Sequence, residues 1–118
     1  MVGGVFVTVI TLPWPDKRLS PNARSHWRAK APVTRCSRDI ACVRTMMSGA
    51  RIDHDGPITL HLTFCEPDKR HRDRMNVEAS CKAYFDGIAD ALGVNDRRFV
   101  PTYAWGERVK GGAVVVTL

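Results

Sequence analysis

Two hydrophobic periods alternate along this 118-residue chain, and they limit the folds that it can adopt. Val5 to Leu12 is rich in β-branched side chains, and Ile58 to Phe64 alternates apolar with polar residues, so we predict a strand in each segment. Two further segments, Phe99 to Trp105 and Ala113 to Leu118, are predicted to be closing strands. The connection between them contains Lys110-Gly111-Gly112, where glycine supplies the φ values that a tight turn needs.

The first helical pattern follows Pro32, a residue that suits the first position of a helix. Gly49 can end this helix. The apolar positions between them recur at spacings of three and four, which predicts an amphipathic helix with a buried stripe of Val33, Cys36, Ile40, Val43 and Met47. The preceding segment, Asp16 to Lys30, is predicted to be a polar, irregular loop.

A second helix is predicted before Gly93, which supplies a stop signal, and either Asp73 or Asn76 is suited to cap its start. Its buried stripe is predicted to consist of Val77, Cys81, Tyr84, Phe85, Ile88 and Leu92. The element order is then β-α-β-α-β-β. This order predicts an α/β or α+β fold, in which residues 1–118 form a single small domain with two helices packed on a mixed sheet.

The charge of the chain favours polyanionic partners. The formal net charge is +6 and the isoelectric point is about 9.6, both high for so short a chain. The four cysteines are far apart, without a Cys-x-x-Cys pair, and we identify no signal peptide and no segment long enough to span a membrane. We therefore expect reduced, partly buried thiols, no membrane partner and a cytoplasmic location.

The segment from Pro67 to Asp96 places acidic residues inside a strongly basic run. Carboxylates bind hard cations such as Mg²⁺, and arginines and lysines bind phosphates. This combination predicts a metal-dependent nuclease, with Asp73 and Asp96 holding the metal. The residues predicted to bind DNA are the cations beside Asp73 and those of the first loop, namely Lys69, Arg70, Arg72, Arg74, Arg24, Arg28 and Lys30. A solvated charge run is the alternative interpretation.

Two further patterns leave alternatives open. Glu78, Lys82, Asp86 and Asp90 follow each other at spacings of four, which places them on one helical face and favours ordinary surface pairing. In the first loop, His26 and Trp27 are candidates for stacking on a base, although Trp27 also suits an anchor that holds the loop against the sheet.

The predicted second helix also separates the two proposed metal ligands. A helix of about 18 residues spans ~27 Å, so residues at its two ends cannot share one metal directly. Either the segment before the helix folds back, or the helix begins later than the pattern indicates.

Several motifs, taken in order, resemble RusA-type Holliday junction resolvases, a family common in phages and prophages. The first two motifs are Leu12-Pro13-Trp14-Pro15 and Ser20-Pro21-Asn22-Ala23-Arg24. The others follow at family-like spacings, and they are Pro67 to Asp73 with Asn76, Lys82 with Asp86, Asn95-Asp96, and Lys110-Gly111-Gly112. The resemblance runs through nearly the whole chain.

The resemblance implies a homodimeric, Mg²⁺-dependent endodeoxyribonuclease, for which Mn²⁺ is a candidate substitute cation. Such enzymes make paired, symmetric nicks across a four-way DNA junction. By the same resemblance, Asp73 matches the first metal-binding aspartate and Asp96 the last, while Lys82 matches a functional lysine on the helix. The resemblance also implies that Asp73 and Asp96 converge in the fold.

One position departs from the family pattern, because Met75 stands where the family has a second aspartate. A thioether is a soft, neutral ligand that cannot replace a carboxylate for Mg²⁺. Three interpretations follow: Glu78, one helical turn later, replaces the missing ligand; the remaining pair binds the metal weakly; or the protein binds junctions without cutting them. The last of these is the alternative function, a junction-binding or branched-DNA-binding protein with weak or no activity.

Overall fold

The computed structural model describes residues 7–24 and 27–118, which form an α+β fold with a four-stranded mixed sheet. The strands are β1 (Val9–Pro13), β2 (Ile58–Cys65), β3 (Phe99–Trp105) and β4 (Ala113–Thr117). The helices are α1 (Trp27–Ser48), α2 (Arg74–Ala79) and α3 (Lys82–Leu92). Two short 3-10 helices cover Lys17–Leu19 and Asp96–Arg98. In the described part of the chain, no helix has both the length and the apolar character needed to cross a membrane.

The sheet has the order β1-β4-β2-β3. Strand β4 is antiparallel to both of its neighbours, with Val116 opposite Ile10 on one side and Leu62 on the other. Strands β2 and β3 are parallel, with Ile58 opposite Phe99. Because β1, β2 and β4 alternate buried with more exposed residues, one sheet face forms the core.

The core lies between this sheet face and the two longer helices. Its sheet side is apolar and includes Leu12, Leu60, Phe64 and Val114, all fully buried. Tyr84 and Ile88 of helix α3, together with Cys81 just before it, add buried side chains, while Val77, Phe85 and Leu92 pack against them at the edge. The predicted stripe of the second helix is therefore confirmed.

Helix α1 differs from its prediction at its start and on its buried face. It begins at Trp27, so Arg28 and Lys30 are helical, and Pro32 lies inside the helix. The residues that α1 buries are Ser37, Ala41 and Thr45, whereas the predicted stripe residues Cys36, Val43 and Met47 are exposed.

The close crossing of α1 and α3 explains why small residues line the buried face of α1. A Cβ added at Gly87 of α3 would overlap the backbone carbonyl oxygen of Arg38 and would lie 2.9 Å from the Ala41 Cβ. Arg38 also clamps the crossing, because its guanidinium donates two hydrogen bonds to the Asp90 carboxylate, at 2.6 and 2.8 Å. Larger side chains at these positions would separate the helices, so the hydrophobic period alone misidentified the face.

The predicted second helix is two helices, α2 and α3. Asp73 caps α2 as predicted, and Gly93 ends α3 in a left-handed conformation, with φ 67°. The break occurs at Ser80, whose hydroxyl donates to the Asn76 carbonyl at 2.8 Å while its N–H donates to both Asn76 and Val77.

The closing strands β3 and β4 were expected to be joined by a tight turn, but they are not neighbours in the sheet. Strand β2 lies between them, and the connecting segment 106–112 crosses it. Gly111 and Gly112 have positive φ values of 79° and 74°, as the glycine pair predicts. A Cβ at Gly112 would lie 2.8 Å from the Trp14 Cβ, so this turn also packs against the segment that follows β1. Of the predicted first strand, Val5 and Phe6 lie outside the described residues.

Candidate metal and nucleic-acid site

Most of the predicted functional residues lie in one segment, the crossover that connects the parallel strands β2 and β3. Residues 66–98 leave β2 at one end of the sheet, form α2 and α3, and return to begin β3. Arg98 fixes the returning end by donating to the backbone carbonyls of Gly56 at 2.9 Å and His54 at 2.6 Å. The acidic and basic side chains of this segment are therefore held by a crossover with both ends anchored.

Lys82, Asp86 and Asp96 form the Lys82 cluster. The Lys82 Nζ atom donates to Asp86 Oδ1 at 2.8 Å and to Asp96 Oδ2 at 2.6 Å. Asp96 reaches Lys82 because Gly93 turns the chain after α3. The Asn95 side chain then accepts from the Arg97 N–H and caps the 3-10 helix that begins at Asp96.

The electrostatics of the Lys82 cluster are those of a cation between two anions. The hydrogen bond from Lys82 lowers the pKa of Asp96. Hydrogen bonds to Asp86 and then to Asp96 raise the pKa of Lys82, although its side chain is 67% exposed. The cluster is open to solvent, so a cation or a phosphate has access to it.

Asp73 lies at the N-terminus of α2, where one of its two carboxylate oxygens accepts hydrogen bonds from the helix backbone. Its Oδ1 atom accepts hydrogen bonds from the backbone N–H groups of Met75, at 3.0 Å, and Asn76, at 3.3 Å. Its Oδ2 atom makes no hydrogen bond or ion pair within the described ranges. Asp73 is therefore a helix cap with one carboxylate oxygen still available.

The predicted metal triad of Asp73, Asp96 and Glu78 is not assembled. Across residues 7–24 and 27–118, no group of three or more His, Cys, Asp or Glu side chains is placed to hold a metal ion. The carboxylate that joins Asp96 is Asp86, which the sequence analysis had assigned to surface pairing. Its spacing of four predicted the pair with Lys82 but did not predict that Asp96 would join it.

Met75 and Glu78 lie in a cleft of about 330 Å³ beside Lys82, which we call the Met75 cleft. Met75 is 77% exposed, and Phe85 and Tyr103 form the apolar wall of the cleft. The predicted proximity of Glu78 to Met75 is thus present, and both residues lie next to the functional lysine candidate.

The predicted DNA-binding residues of the crossover lie around a second cleft, of about 630 Å³, which we call the basic cleft. Its cationic lining includes Arg108, which the sequence analysis missed because it follows β3 rather than the basic run. The Val109 N–H donates to the Glu66 carbonyl at 3.1 Å and thereby brings Arg108 to the crossover. The full lining is Glu66, Lys69, Arg70, His71, Arg72, Asp73, Arg74 and Arg108.

Two of the predicted DNA-binding arginines are engaged within the fold. Arg72 pairs with Glu66 at 3.2 Å and Asp68 at 2.8 Å, and its guanidinium lies 5.4 Å from the centre of the Trp14 ring. Arg74 lies 4.8 Å from the centre of the Trp105 ring. In contrast, the side chains of Lys69, Arg70 and Arg108 make no hydrogen bond or ion pair with described residues, so they are the cations available to a ligand.

The cations of the predicted first loop are separated by the start of α1. Arg24 is exposed in the loop, whereas Arg28 and Lys30 belong to the first turns of α1. The Lys30 Nζ atom donates to the Ala23 carbonyl at 3.1 Å, which ties the helix to the loop before it. His26 and the side chain of Trp27 lie outside the described residues, so the stacking proposed for them stays a prediction.

Comparison with known proteins identifies one family relationship. No family model matches the chain. A protein of Xylella fastidiosa (strain Temecula1), described as an uncharacterized protein, is 40% identical to this chain over 122 residues, and the alignment covers 100% of this chain and 80% of the relative. Identity of this extent over the full chain shows common ancestry, and the chain belongs to the same family as this Xylella fastidiosa protein.

Proposed function

We propose that the protein is a Mg²⁺-dependent endonuclease that acts on four-way DNA junctions, as a homodimer in the cytoplasm of a bacterial host. The observation that supports this function best is the pair of carboxylates, Asp86 and Asp96, held on one ammonium group within a crossover that also lines a basic cleft. A two-fold dimer would present two such sites to a substrate with nearly two-fold symmetry.

The donor set fits Mg²⁺ with fewer protein ligands than the sequence predicted. Mg²⁺ is commonly bound by one or two carboxylates together with water and substrate phosphate. Asp86 and Asp96 would hold the ion, whereas Asp73 is not grouped with them. The bound ion would polarise the scissile phosphate and lower the pKa of an attacking water.

The side chains around the carboxylates support the remaining steps. Lys82 has an exposed ammonium group, kept protonated by its two acidic neighbours, that can stabilise negative charge on a phosphate in the transition state. Lys69, Arg70 and Arg108 can neutralise backbone phosphates, since their side chains make no hydrogen bond or ion pair with a described residue. DNA affinity should therefore fall steeply with salt concentration.

The alternative function is junction binding with weak or no cleavage, and Met75 is the observation that favours it. The exposed thioether lies in the same cleft as Glu78 and Lys82, at the place where the resemblance expects a carboxylate. A protein with this change would keep its basic cleft and its affinity for phosphate but would hold the metal weakly.

A junction cleavage assay with a series of divalent cations tests the proposal. We expect paired nicks with Mg²⁺ or Mn²⁺, no cleavage in chelator, and a loss on the order of 100-fold in rate for Asp96→Asn, because one of the two carboxylates is removed. Asp53→Asn is the matched control, since the Asp53 side chain is fully exposed. Retarded but intact junctions would favour the binding function, and salt-insensitive or absent DNA binding would refute both.

Changing Met75 to aspartate separates the two functions further. The new carboxylate would enter the cleft that Glu78 and Lys82 already line, so we expect faster cleavage and a lower Mg²⁺ requirement. Met75→Asn is the control, because it is similar in size to aspartate but adds no charge. Equal cleavage by the wild type and both variants would show that position 75 does not contribute to the metal site.

A further inference from the structure

A third cleft, between the segment after β1 and helix α2, has features that neither proposed function uses. It has a volume of about 650 Å³, within the range of about 300–1,000 Å³ typical of small-molecule sites. Trp14, Pro15 and Val77 supply apolar wall, and Arg70 and Asn76 supply polar groups. We call it the Trp14 cleft. A wall that is partly flat and apolar and partly polar suits a nucleobase better than a phosphate alone.

The stacking surface of the Trp14 cleft is rigid. The Arg72 guanidinium lies over the Trp14 ring and is fixed by Glu66 and Asp68, which leaves its side chain only 17% exposed. Both Trp14 and Arg72 line the cleft. Unpaired bases stack on aromatic rings and on arginine planes, and a fixed plane loses little conformational entropy when a base binds.

The polar group that can recognise a base is the Asn76 side chain. Its backbone N–H is bonded to Asp73 and its carbonyl accepts from Ser80, so helix α2 fixes the residue. Its side-chain amide makes no hydrogen bond to any residue that the structure describes. An amide offers a donor and an acceptor together, which is the pairing that a base edge requires.

Cations lie beside this amide on the same cleft. Arg70 and Lys17 line the cleft, and neither side chain has a hydrogen-bonding or ionic partner among the described residues. Arg18, by contrast, is bonded to Asp16 through three hydrogen bonds. The free cations can bind the phosphate attached to a base that occupies the cleft.

We propose that the Trp14 cleft binds one unpaired nucleotide, with its base against the Arg72–Trp14 layer, its edge at the Asn76 amide and its phosphate at Arg70. The inference rests on the proposed function, because branched DNA is a source of unpaired nucleotides. The same chemistry would also accept a free nucleoside monophosphate. The experiment must therefore distinguish a nucleotide within DNA from a free one.

The test measures binding to two labelled duplexes that differ by one central unpaired 2-aminopurine. For the wild type we expect about tenfold tighter binding to the bulged duplex, the size of one base-stacking contact, and a change in 2-aminopurine fluorescence. Asn76→Leu should abolish most of this preference and leave affinity for the matched duplex nearly unchanged. Asn76→Asp is a second variant that keeps the shape of the side chain, and it should also lower the preference. Asn22→Leu, at an exposed asparagine that does not line the cleft, is the control.

Each outcome separates this inference from the proposed function. Equal binding of both duplexes, or a preference that survives both Asn76 variants, would overturn the nucleotide cleft while leaving junction cleavage as a valid function. Binding of deoxynucleoside monophosphates that depends on Asn76, without any DNA binding, would support the cleft and refute the nuclease. Absence of binding to both DNA and free nucleotides would overturn both.

Discussion

Replacing Gly87 with alanine tests whether the close crossing of α1 and α3 determines the stability of the fold. An alanine in a helix interior is favoured over glycine by about 1 kcal/mol, so propensity alone predicts stabilisation. The structure predicts the opposite sign. The added Cβ would overlap the Arg38 carbonyl oxygen, which belongs to the backbone and cannot rotate away, and it would also crowd the Ala41 Cβ.

The magnitude follows from the shift that the helices would need. Restoring normal contact requires moving α1 away from α3 by roughly 1 Å, which separates packed core residues and strains the Arg38–Asp90 clamp. Overpacking of this kind costs about 1–3 kcal/mol, and a backbone obstacle places Gly87→Ala near the upper end. After subtracting the gain in propensity, we expect a net destabilisation of about 2 kcal/mol.

Thermal and urea unfolding followed by circular dichroism measures this change. For a chain of 118 residues, 2 kcal/mol corresponds to a fall of roughly 8 °C in the melting temperature. The double variant Ala41→Gly, Gly87→Ala is the control, because it removes one crowded atom but not the carbonyl, and it should not recover the wild-type stability. An unchanged or raised melting temperature for Gly87→Ala would refute the close crossing.

Two further predictions concern the hydrogen bonds that join separate elements. Lys82→Met should raise the pKa of Asp96 toward the ordinary aspartate value of about 3.9, and NMR titration of the Asp96 carboxyl carbon measures this change. In the wild type, the lowered pKa of Asp96 stabilises the fold above that ordinary value, and this stabilisation is lost as pH falls through the lowered pKa. An unchanged Asp96 pKa would contradict the Lys82 contact. Tyr84→Phe removes the hydroxyl that donates to the Pro13 carbonyl at 2.6 Å and should cost about 1 kcal/mol in urea unfolding, whereas no loss would show that water replaces this bond.

The strands and the chain reversals could be predicted because their signals are local. The predicted Phe99 to Trp105 is β3 without change, and the alternation from Ile58 predicts β2 to within one residue. Gly93 ends α3 because its left-handed backbone disfavours any residue with a Cβ, which is a property of the residue itself. In such cases one or two side chains decide the conformation.

The remaining features depend on contacts between distant residues. Nothing near Ala41 indicates that it is fully buried, because it packs against Gly87 on another helix. Likewise, the spacing of Lys82 and Asp86 is common on exposed helices, and only the return of the chain to Asp96 converts that pair into a cluster. The sequence therefore identified most residues of the candidate site, but it missed Arg108 and did not predict the partners that these residues have in the fold.

The parallel pairing of β2 with β3 has a consequence for how this family can vary. The ladder fixes where segment 66–98 begins, beyond the C-terminal end of β2, and where it ends, at the opposite end of the sheet beside Ile58, and the sheet itself is built from residues outside that segment. Substitutions at exposed positions of the segment can therefore alter chemistry while the strands stay the same, whereas Tyr84 and Ile88 of the segment belong to the core and are constrained by it. Grafting the corresponding stretch of the Xylella fastidiosa relative onto this sheet would create a chimera with the crossover of one protein and the strands of the other.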